Sequence, residues 1–261
     1  MDLGLREKTV IVTGGSAGIG RGAVELLVNE GANVVTCARG AEALEETVRG
    51  VDPSGERTLA LPMDMTDPDA GVEIYEKARE RFGRVDGIVN NVGTAVTGPF
   101  LDITDEQWVG DLDLKLYPAI RLIRAALPEM RERGSGSIVN VLSIVAKQPP
   151  AGSMPTSVTR AAGLAMTKAL SKEFASDGIR VNAVLVGFIK SGQQDSRWQR
   201  EAPELEREVW YLKVSEQRGV PMGRAGTPEE VASVIGLLLS DAAGYTSGVA
   251  INIDGAQAAV H

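Results

Sequence analysis

The sequence predicts an α/β protein built on a doubly wound parallel sheet. The prediction rests on short β-branched runs, on helical patterns between them, and on a glycine-rich turn after the first run. The predicted strands are residues 9–13, 33–37, 58–63, 87–90, 137–142, 180–185 and 249–253. Runs that are apolar throughout are typical of parallel strands, because helices cover both faces of such a sheet.

Six helical patterns alternate with these strands. They cover residues 18–29, 41–49, 67–81, 104–131 and 156–176, followed by a last helix that opens at Thr227. Asp67 followed by Pro68 is typical of a helix start. Thr227 and Glu230 have the spacing of a capping box. Strands and helices that alternate in this way predict a sheet with helices on both faces.

The segment 191–226 interrupts the alternation of strands and helices. It is charged and contains Trp198, Trp210 and Tyr211, so we expect a helical flap over the substrate. We find neither a long repeat nor a low-complexity linker that would divide the chain. We therefore expect residues 1–261 to form a single domain that carries this flap.

Composition excludes several classes of function. The chain has 261 residues, of which 43% are hydrophobic and 24% charged, as in ordinary globular proteins. A net charge of −8 and 4% aromatic residues argue against binding to nucleic acid or to an anionic membrane. One cysteine, Cys37, and one histidine, His261, exclude an internal disulfide framework, a histidine triad and a multi-histidine metal site. With no export signal and no membrane-spanning run, we expect a cytoplasmic protein without a metal.

The glycine-rich turn between the first strand and the first helix predicts a dinucleotide site. Gly14 permits a tight turn, while Gly18 and Gly20 let the backbone approach a pyrophosphate. The start of the helix then offers free N–H groups and a positive dipole to phosphate oxygens. We therefore expect these glycines, with Ser16 and Ile19, to contact the cofactor.

The end of the second strand favours NADP over NAD. An NAD site usually has a carboxylate here for the ribose 2′-hydroxyl, whereas this chain has Ala38 followed by Arg39. A guanidinium favours the 2′-phosphate of NADP, and Arg21 could add further positive charge. Asp64, at the end of the third strand, has two interpretations: an acceptor for the adenine amino group, or a cap for the following turn.

Several longer motifs are similar to those of a known family. They are TGGSAGIG at 13–20, NNVG at 90–93, SIVNVLS at 137–143, RVNAVLVGFI at 180–189, YTSG at 245–248 and DG at 254–255. With them the chain resembles the short-chain dehydrogenase/reductase family over essentially its full length. The resemblance implies a Rossmann-type sheet, a nicotinamide cofactor, a small-molecule substrate and a homodimer or homotetramer. The family's subunit contacts would correspond to residues 104–131, 156–176 and 245–261.

The resemblance also implies roles for residues around the cofactor. Asn90 and Gly93 are similar to the family's loop on the adenosine side of the site. Gly187 and Ile189 are similar to the segment that holds the nicotinamide carboxamide. Ser191 lies near the position of a threonine in the family.

The catalytic positions depart from the family's pattern of Asn, Ser, Tyr and Lys. In the family, the tyrosine exchanges a proton with the substrate oxygen, and the lysine holds the ribose and lowers the tyrosine pKa. Ser143 is kept here, whereas Lys115, Thr156 and Arg160 stand at the positions of Asn, Tyr and Lys. An aliphatic hydroxyl is far less acidic than a phenol, so Thr156 cannot simply replace the tyrosine. Arg160 would keep positive charge near the ribose.

Lys115 is the leading candidate for the missing proton donor. Burial and the charge of Arg160 would lower the pKa of this lysine. Pro118 has no N–H, so we expect a kink that frees the carbonyl of Leu114 to hold the ammonium or a water. A solvated lysine on the helix surface is an equally weighted alternative.

Two other side chains are weaker candidates for the site. Tyr211 could reach the site from the flap, although packing beneath the flap accounts for it better. Lys147 could contact an anionic substrate, although an exposed loop lysine is the better interpretation.

Three functions remain open from the sequence. The first is an NADP(H)-dependent oxidoreductase for a small carbonyl or alcohol, with Lys115 or water as donor, Ser143 as anchor and Thr156 as an auxiliary hydroxyl. The second is a non-redox lyase, dehydratase or isomerase in which Ser143 and the cations stabilise an anionic intermediate. The third is a noncatalytic NADP-binding protein, since a fold does not guarantee its chemistry.

Overall fold

The computed structural model describes residues 2–260, and their central element is a seven-stranded parallel sheet. The strands are β1 (Thr9–Thr13), β2 (Asn33–Ala38), β3 (Thr58–Pro62), β4 (Gly87–Asn90), β5 (Thr97–Gly98), β6 (Gly136–Ser143), β7 (Met154–Pro155), β8 (Ile179–Val186) and β9 (Ala250–Ile253). β5 and β7 form a separate antiparallel pair, and the other seven run in the order β3-β2-β1-β4-β6-β8-β9. The predicted fold class is confirmed. His261 lies outside the described residues.

Helices cover both faces of the sheet. They are α1 (Gly18–Asn29), α2 (Ala41–Val51), α3 (Ala70–Phe82), α4 (Asp105–Lys115), α5 (Tyr117–Arg133), α6 (Thr156–Glu173), α7 (Gly192–Glu201), α8 (Arg207–Gln217) and α9 (Pro228–Leu239). Val10 and Val12 pack into the core beneath α1 and α9, whereas Ile11 packs into the opposite core with α3 and α5. This alternation follows from the two-residue period of a strand and produces two hydrophobic layers.

The order of the strands places a crevice at one edge of the sheet. β2 and β3 lie on one side of β1, and β4, β6, β8 and β9 lie on the other. All seven strands are parallel, so their carboxyl ends share this edge. In doubly wound folds, ligands bind at the point where the strand order reverses.

The helix predicted at 104–131 is two helices in the structure. α4 ends at Lys115 and α5 begins at Tyr117, with Pro118 in the first turn of α5. A proline is tolerated there because the first N–H groups of a helix need no acceptor within it. The interruption expected near Pro118 is therefore present, although it falls at Leu116 as a break between two helices rather than as a kink inside one.

The capping patterns in the sequence predict the start of the last helix correctly but misplace the start of the third. The third helix begins at Ala70 rather than Asp67, because the Asp67 carboxylate accepts a hydrogen bond from the Asp69 N–H at 2.9 Å and shapes the preceding turn. The capping box predicted for the last helix is confirmed. The Thr227 hydroxyl accepts from the Glu230 N–H at 3.4 Å, and the Glu230 carboxylate accepts from the Thr227 N–H at 2.8 Å.

The segment 191–226 contains α7 and α8. Its Trp210 and Tyr211 form an aromatic cluster with Phe188, with ring centroids 5.1 to 6.3 Å apart. Within residues 2–260, no helix has both the length and the apolar character that crossing a membrane requires.

Cys37 lies in β2, directly beneath the glycine turn. Its side chain is fully buried, and its carbonyl accepts hydrogen bonds from the N–H groups of Gly14 and Gly15 at 2.9 and 3.1 Å. Burial raises the pKa of the thiol to about 11. The thiol is therefore protonated at neutral pH.

Candidate active site

The candidate active site is a cleft of about 780 Å³ at the carboxyl edge of the sheet. β3 and β2 lie on one side of β1 and β6 on the other, so Arg39 and Asp64 line one part of the cleft, and Ser143 and Arg160 line another. The predicted site residues that line the cleft are Gly14, Ser16, Gly18, Ile19, Arg39, Asp64, Gly93, Ser143, Thr156, Arg160, Gly187 and Ile189. The fold thus brings most of the predicted residues together.

The glycine turn provides a backbone cradle at the floor of the cleft. Gly14 has a φ of 74°, a left-handed conformation that favours glycine. A Cβ added to Gly20 would lie 2.0 Å from the carbonyl oxygen of Gly14, so only glycine fits there. Among the described residues, no side chain caps the first N–H groups of α1. These groups face a roomy cleft and fit the pyrophosphate of a dinucleotide.

The loop after β4 is organised by an asparagine that the sequence reasoning did not select. The Asn91 amide donates to the carbonyls of Thr13 and Gly14 at 3.0 and 3.1 Å and so braces the glycine turn. The predicted residue, Asn90, points its amide at Asn140 instead, at 2.8 Å. The structure therefore places Asn91, rather than Asn90, at the wall of the cleft.

Of the two arginines considered for the 2′-phosphate, only one lines the part of the cleft formed by β2 and β3. Arg39 lines the cleft, whereas Arg21 pairs with Glu25 at 2.8 Å along the exposed side of α1. Asp64 accepts from the N–H and hydroxyl of Thr66 at 3.0 and 2.9 Å. These bonds, together with the nearby charge of Arg39, lower the pKa of Asp64. Asp64 therefore caps its turn while its carboxylate still borders the cleft.

Lys115 lies behind the cleft wall, where its ammonium group is enclosed. It donates a hydrogen bond to the Thr156 hydroxyl at 2.8 Å and forms an ion pair with Asp111 one turn earlier on α4. The side chains of Lys115 and Asp111 are 1% and 0% exposed. The interpretation of Lys115 as a solvated surface lysine is therefore wrong. The partner expected for its ammonium, the Leu114 carbonyl, is replaced by the carboxylate of Asp111.

The Thr156 hydroxyl connects this buried pair to the cleft. It lies 2.8 Å from the carbonyl oxygen of Val96, to which it donates, and accepts from the Val96 N–H at 2.9 Å. With Lys115 as a second donor, every hydrogen-bonding position of the hydroxyl is used. Thr156 therefore fixes the loop before β5 and receives the ammonium at the same oxygen.

The two cations of the site differ in their surroundings. Burial and the charge of Arg160, opposed by Asp111, together lower the pKa of Lys115 to about 8. Burial also lowers the pKa of Arg160 to about 10, so its guanidinium stays charged at neutral pH. One guanidinium nitrogen donates to the Val141 carbonyl at 3.0 Å. A Cβ added to Gly93 would lie 2.6 Å from the other, so glycine makes room for the arginine.

Two of the weaker candidates lie elsewhere. The Tyr211 hydroxyl donates to Asp195 at 2.9 Å, and burial with this carboxylate raises the pKa of the phenol to about 12. Tyr211 is therefore a packing residue beneath the flap, as the sequence favoured. Lys147 is half-buried and donates to the Ala250 carbonyl at 3.1 Å, so it ties its loop to β9 and the interpretation as an exposed loop lysine is wrong.

The sequence reasoning missed Asp111 and Val96. Asp111 and Lys115 are four residues apart, the spacing at which side chains of a helix meet, so the pair is visible in the sequence. Its burial is not visible there, because α4 is polar along most of its length. Val96 acts through its backbone N–H and carbonyl, which no side-chain motif reveals.

The parallel sheet, the glycine cradle and the serine at the end of β6 together define a dinucleotide-dependent enzyme fold. The chain belongs to the short-chain dehydrogenase/reductase family, and its residues 14–256 match the family model described as enoyl-(acyl carrier protein) reductase.

Relatives and solved structures resemble the chain over nearly its full length. The 3-oxoacyl-[acyl-carrier-protein] reductase FabG of Thermotoga maritima is 33% identical over 251 residues, which are 96% of this chain and 98% of the relative. A short-chain oxidoreductase of Pseudomonas aeruginosa PAO1, described as containing an atypical catalytic center, is 35% identical with a TM-score of 0.92 and coverage of 99% and 100%. Its NADPH-bound structure is 34% identical with a TM-score of 0.90, covering 98% of each chain. L-sorbose reductase of Gluconobacter frateurii, complexed with NADPH and L-sorbose, is 32% identical with a TM-score of 0.94 and full coverage of both chains.

Proposed function

We propose that this chain is an NADP(H)-dependent oxidoreductase for a small carbonyl or alcohol, in which Lys115 delivers the proton through the hydroxyl of Thr156. The observation that carries the proposal is the 2.8 Å hydrogen bond from the buried ammonium to the hydroxyl of Thr156, a residue that lines the same cleft as Ser143. A direct contact between Lys115 and the substrate is not part of the proposal, because the ammonium is enclosed.

The residues of the cleft fit NADP and divide its parts among them. The glycine turn and the start of α1 would hold the pyrophosphate, and Arg39 the 2′-phosphate. Arg160 would lie at the ribose of the nicotinamide, and Gly187 and Ile189 at its carboxamide. When bound, the nicotinamide supplies or accepts the hydride. The NADPH-bound structures of the Pseudomonas short-chain oxidoreductase and of L-sorbose reductase support the expectation of NADP over NAD.

The protein's own groups then manage the substrate oxygen and one proton. Ser143 holds the oxygen by a hydrogen bond. The Thr156 hydroxyl turns from the Val96 carbonyl to the substrate oxygen, gives up its proton there and takes one from Lys115. The ammonium becomes a neutral amine, and Thr156 ends as it began. A hydroxyl is too weak an acid to be the source of the proton. It can still relay one, because its oxygen accepts a proton from one neighbour while its O–H gives a proton to another.

The pKa of Lys115 sets the direction of the pH dependence. Reduction needs the ammonium, so kcat/KM for reduction should be flat below about pH 8 and fall about tenfold per pH unit above it. Oxidation needs the neutral amine and should rise with pH to a plateau above that value.

The test is NADPH consumption with a panel of ketones, aldehydes and quinones. Replacing Lys115→Met keeps a long side chain but removes the acid, so kcat/KM should fall by about 10²- to 10⁴-fold. Binding of NADPH, followed by fluorescence, should stay within about threefold of the wild type, because Lys115 does not line the cleft. Lys172→Met, at an exposed position near the end of α6, is the matched control and should leave both quantities unchanged.

Other outcomes point to the alternative functions. Turnover of a substrate without a change in nicotinamide absorbance would favour a lyase, dehydratase or isomerase. Tight NADPH binding without turnover of any panel member would favour a noncatalytic protein. Full activity of Lys115→Met would remove the lysine from the mechanism while leaving the oxidoreductase in place.

A further inference from the structure

Asp111 is the most deeply enclosed charged group near the active site, and the activity described so far gives it no role. Its side chain is fully buried on α4, one turn before Lys115. One carboxylate oxygen accepts from the ammonium and lies 3.5 Å from the Thr156 hydroxyl. Within the described residues, the second oxygen has no hydrogen-bond donor, although it is buried. A carboxylate in this situation requires an explanation.

Stability does not explain the buried pair well. Removing two charges from water costs more than their attraction regains in many proteins, and apolar residues of similar volume commonly replace such pairs without loss. An unsatisfied carboxylate oxygen adds to this cost. Apolar side chains would therefore fill the space between α4 and α6 at a lower cost in folding free energy than this ion pair.

We propose that Asp111 is a positioning residue for proton delivery, whose carboxylate keeps Lys115 protonated and aims its ammonium at Thr156. This inference rests on the proposed function and names the group that makes the buried lysine usable. The helix fixes the geometry, because side chains four residues apart lie on the same face. The ammonium contacts both the carboxylate and the Thr156 hydroxyl, whose oxygens lie 3.5 Å apart. Of these two residues only Thr156 lines the cleft, so a proton bound for the substrate leaves the lysine through the hydroxyl.

The charges around Lys115 show why the carboxylate is needed. From its own helix Lys115 faces Asp111, and from α6 it faces Arg160 and the neutral Thr156. The loop after β4 approaches its side chain at Gly93, which carries no charge. Burial and Arg160 both favour the neutral amine, and Asp111 alone among these groups favours the ammonium. Without the carboxylate, the lysine would lose its proton at a lower pH.

The decisive experiment measures the protonation of Lys115 directly, without turnover. The side-chain nitrogen is followed by NMR in protein with isotopically labelled lysine, and Lys115→Met assigns the signal. The midpoint is expected at about pH 8 in the wild type and at least about one unit lower in Asp111→Asn. Asp113→Asn, the same change two residues along α4, is the matched control and should keep the wild-type midpoint. An unchanged or higher midpoint in Asp111→Asn would overturn the inference.

Kinetics supply a second readout that a merely structural residue would not move. In Asp111→Asn the alkaline fall of kcat/KM for reduction should shift to lower pH, with a loss of at least about fivefold at pH 8. A uniform loss at all pH values, with the same midpoint, would contradict the positioning role. If the wild type reduces no substrate, the proposed function fails, whereas the NMR titration still decides the role of Asp111.

A double variant separates folding from function. Asp111→Asn combined with Lys115→Met removes both charges and leaves neither group alone in the interior. It should bind NADPH as the wild type does and show no more reduction than Lys115→Met alone. Restored reduction in the double variant would exclude both residues from proton delivery.

Discussion

At the scale of single residues, the exchange of a phenol for an aliphatic hydroxyl determines the chemistry of this site. A tyrosine can serve as an acid once a neighbouring cation lowers its pKa, whereas threonine stays far from the range in which it ionises. The structure places the ammonium of Lys115, a stronger acid than a hydroxyl, 2.8 Å from the Thr156 oxygen. In the proposed mechanism, acidity and proton transfer, which one tyrosine combines in the family, are divided between two side chains.

Two variants of Thr156 test this division. Thr156→Ser keeps the hydroxyl and should retain reduction within about tenfold of the wild type. Thr156→Val keeps the shape but removes the relay, so kcat/KM should fall by about 10²-fold or more. Steady-state kinetics with NADPH measures both values. Loss of the hydrogen bonds to Val96 and Lys115 should also lower the free energy of unfolding of the valine variant by about 1–3 kcal/mol. Equal activity of serine and valine variants would exclude a relay.

The sequence shows which residues occupy the family's catalytic positions, but it does not show which groups those residues contact. The chain itself shows that Lys115, Thr156 and Arg160 replace the family's residues. Whether Lys115 faces solvent depends on α6 and the loop before β5, which are distant in sequence. Distance along the chain also explains the wrong interpretation of Lys147, which donates to the Ala250 carbonyl, whereas Arg21 pairs with Glu25 only four residues further along α1.

At the scale of secondary-structure elements, several strands and the first helix were predicted well because their signals are local. β1, β4 and α1 have the predicted bounds, since period and glycine position determine them. The division between α4 and α5 was not foreseen, although Pro118 marks its place. A proline permits either a kink or a fresh start, and packing against α6 and the sheet decides between them.

The glycine cradle provides a prediction at this scale. In Gly20→Ala the new methyl group would lie 2.0 Å from the Gly14 carbonyl oxygen, so the turn must open. The dissociation constant for NADPH, measured by fluorescence titration, should rise at least about tenfold. Gly110→Ala is the control, because nothing lies within 4 Å of its added Cβ on α4. It should bind NADPH normally and gain up to about 1 kcal/mol in stability. Normal binding by Gly20→Ala would remove the turn from the cofactor site.

At the scale of the whole molecule, one edge of a seven-stranded sheet collects groups from the entire chain. The cleft draws on the first glycine turn, on the ends of β2 and β6, on α6 and on the flap. The family and the α/β sheet are confirmed, because repeated strand and helix signals reinforce one another along the sequence. The substrate could not be predicted, since the residues that would select it come from loops whose positions depend on the whole fold.

Association of subunits remains a prediction at this scale. An apolar groove of about 530 Å³ between α5 and α6 is lined by Ile120, Leu127, Met166 and Leu170, among others. We expect a homodimer or homotetramer to cover it. Met166→Glu should shift the mass measured by light scattering toward that of a smaller assembly, because a charge in an apolar contact is costly. Met222→Glu, at an exposed position in the segment 191–226, should leave the mass unchanged. A monomeric wild type would contradict the expectation.

The lone sulfhydryl beneath the nucleotide cradle has a practical consequence. Cys37 is sealed in β2 and hydrogen-bonded through its carbonyl to the turn above it. An alkylating reagent can reach the sulfur only after the surrounding layers separate, since reactivity requires both access and a thiolate. The rate at which Cys37 is alkylated therefore reports how often the core beneath the glycine turn opens.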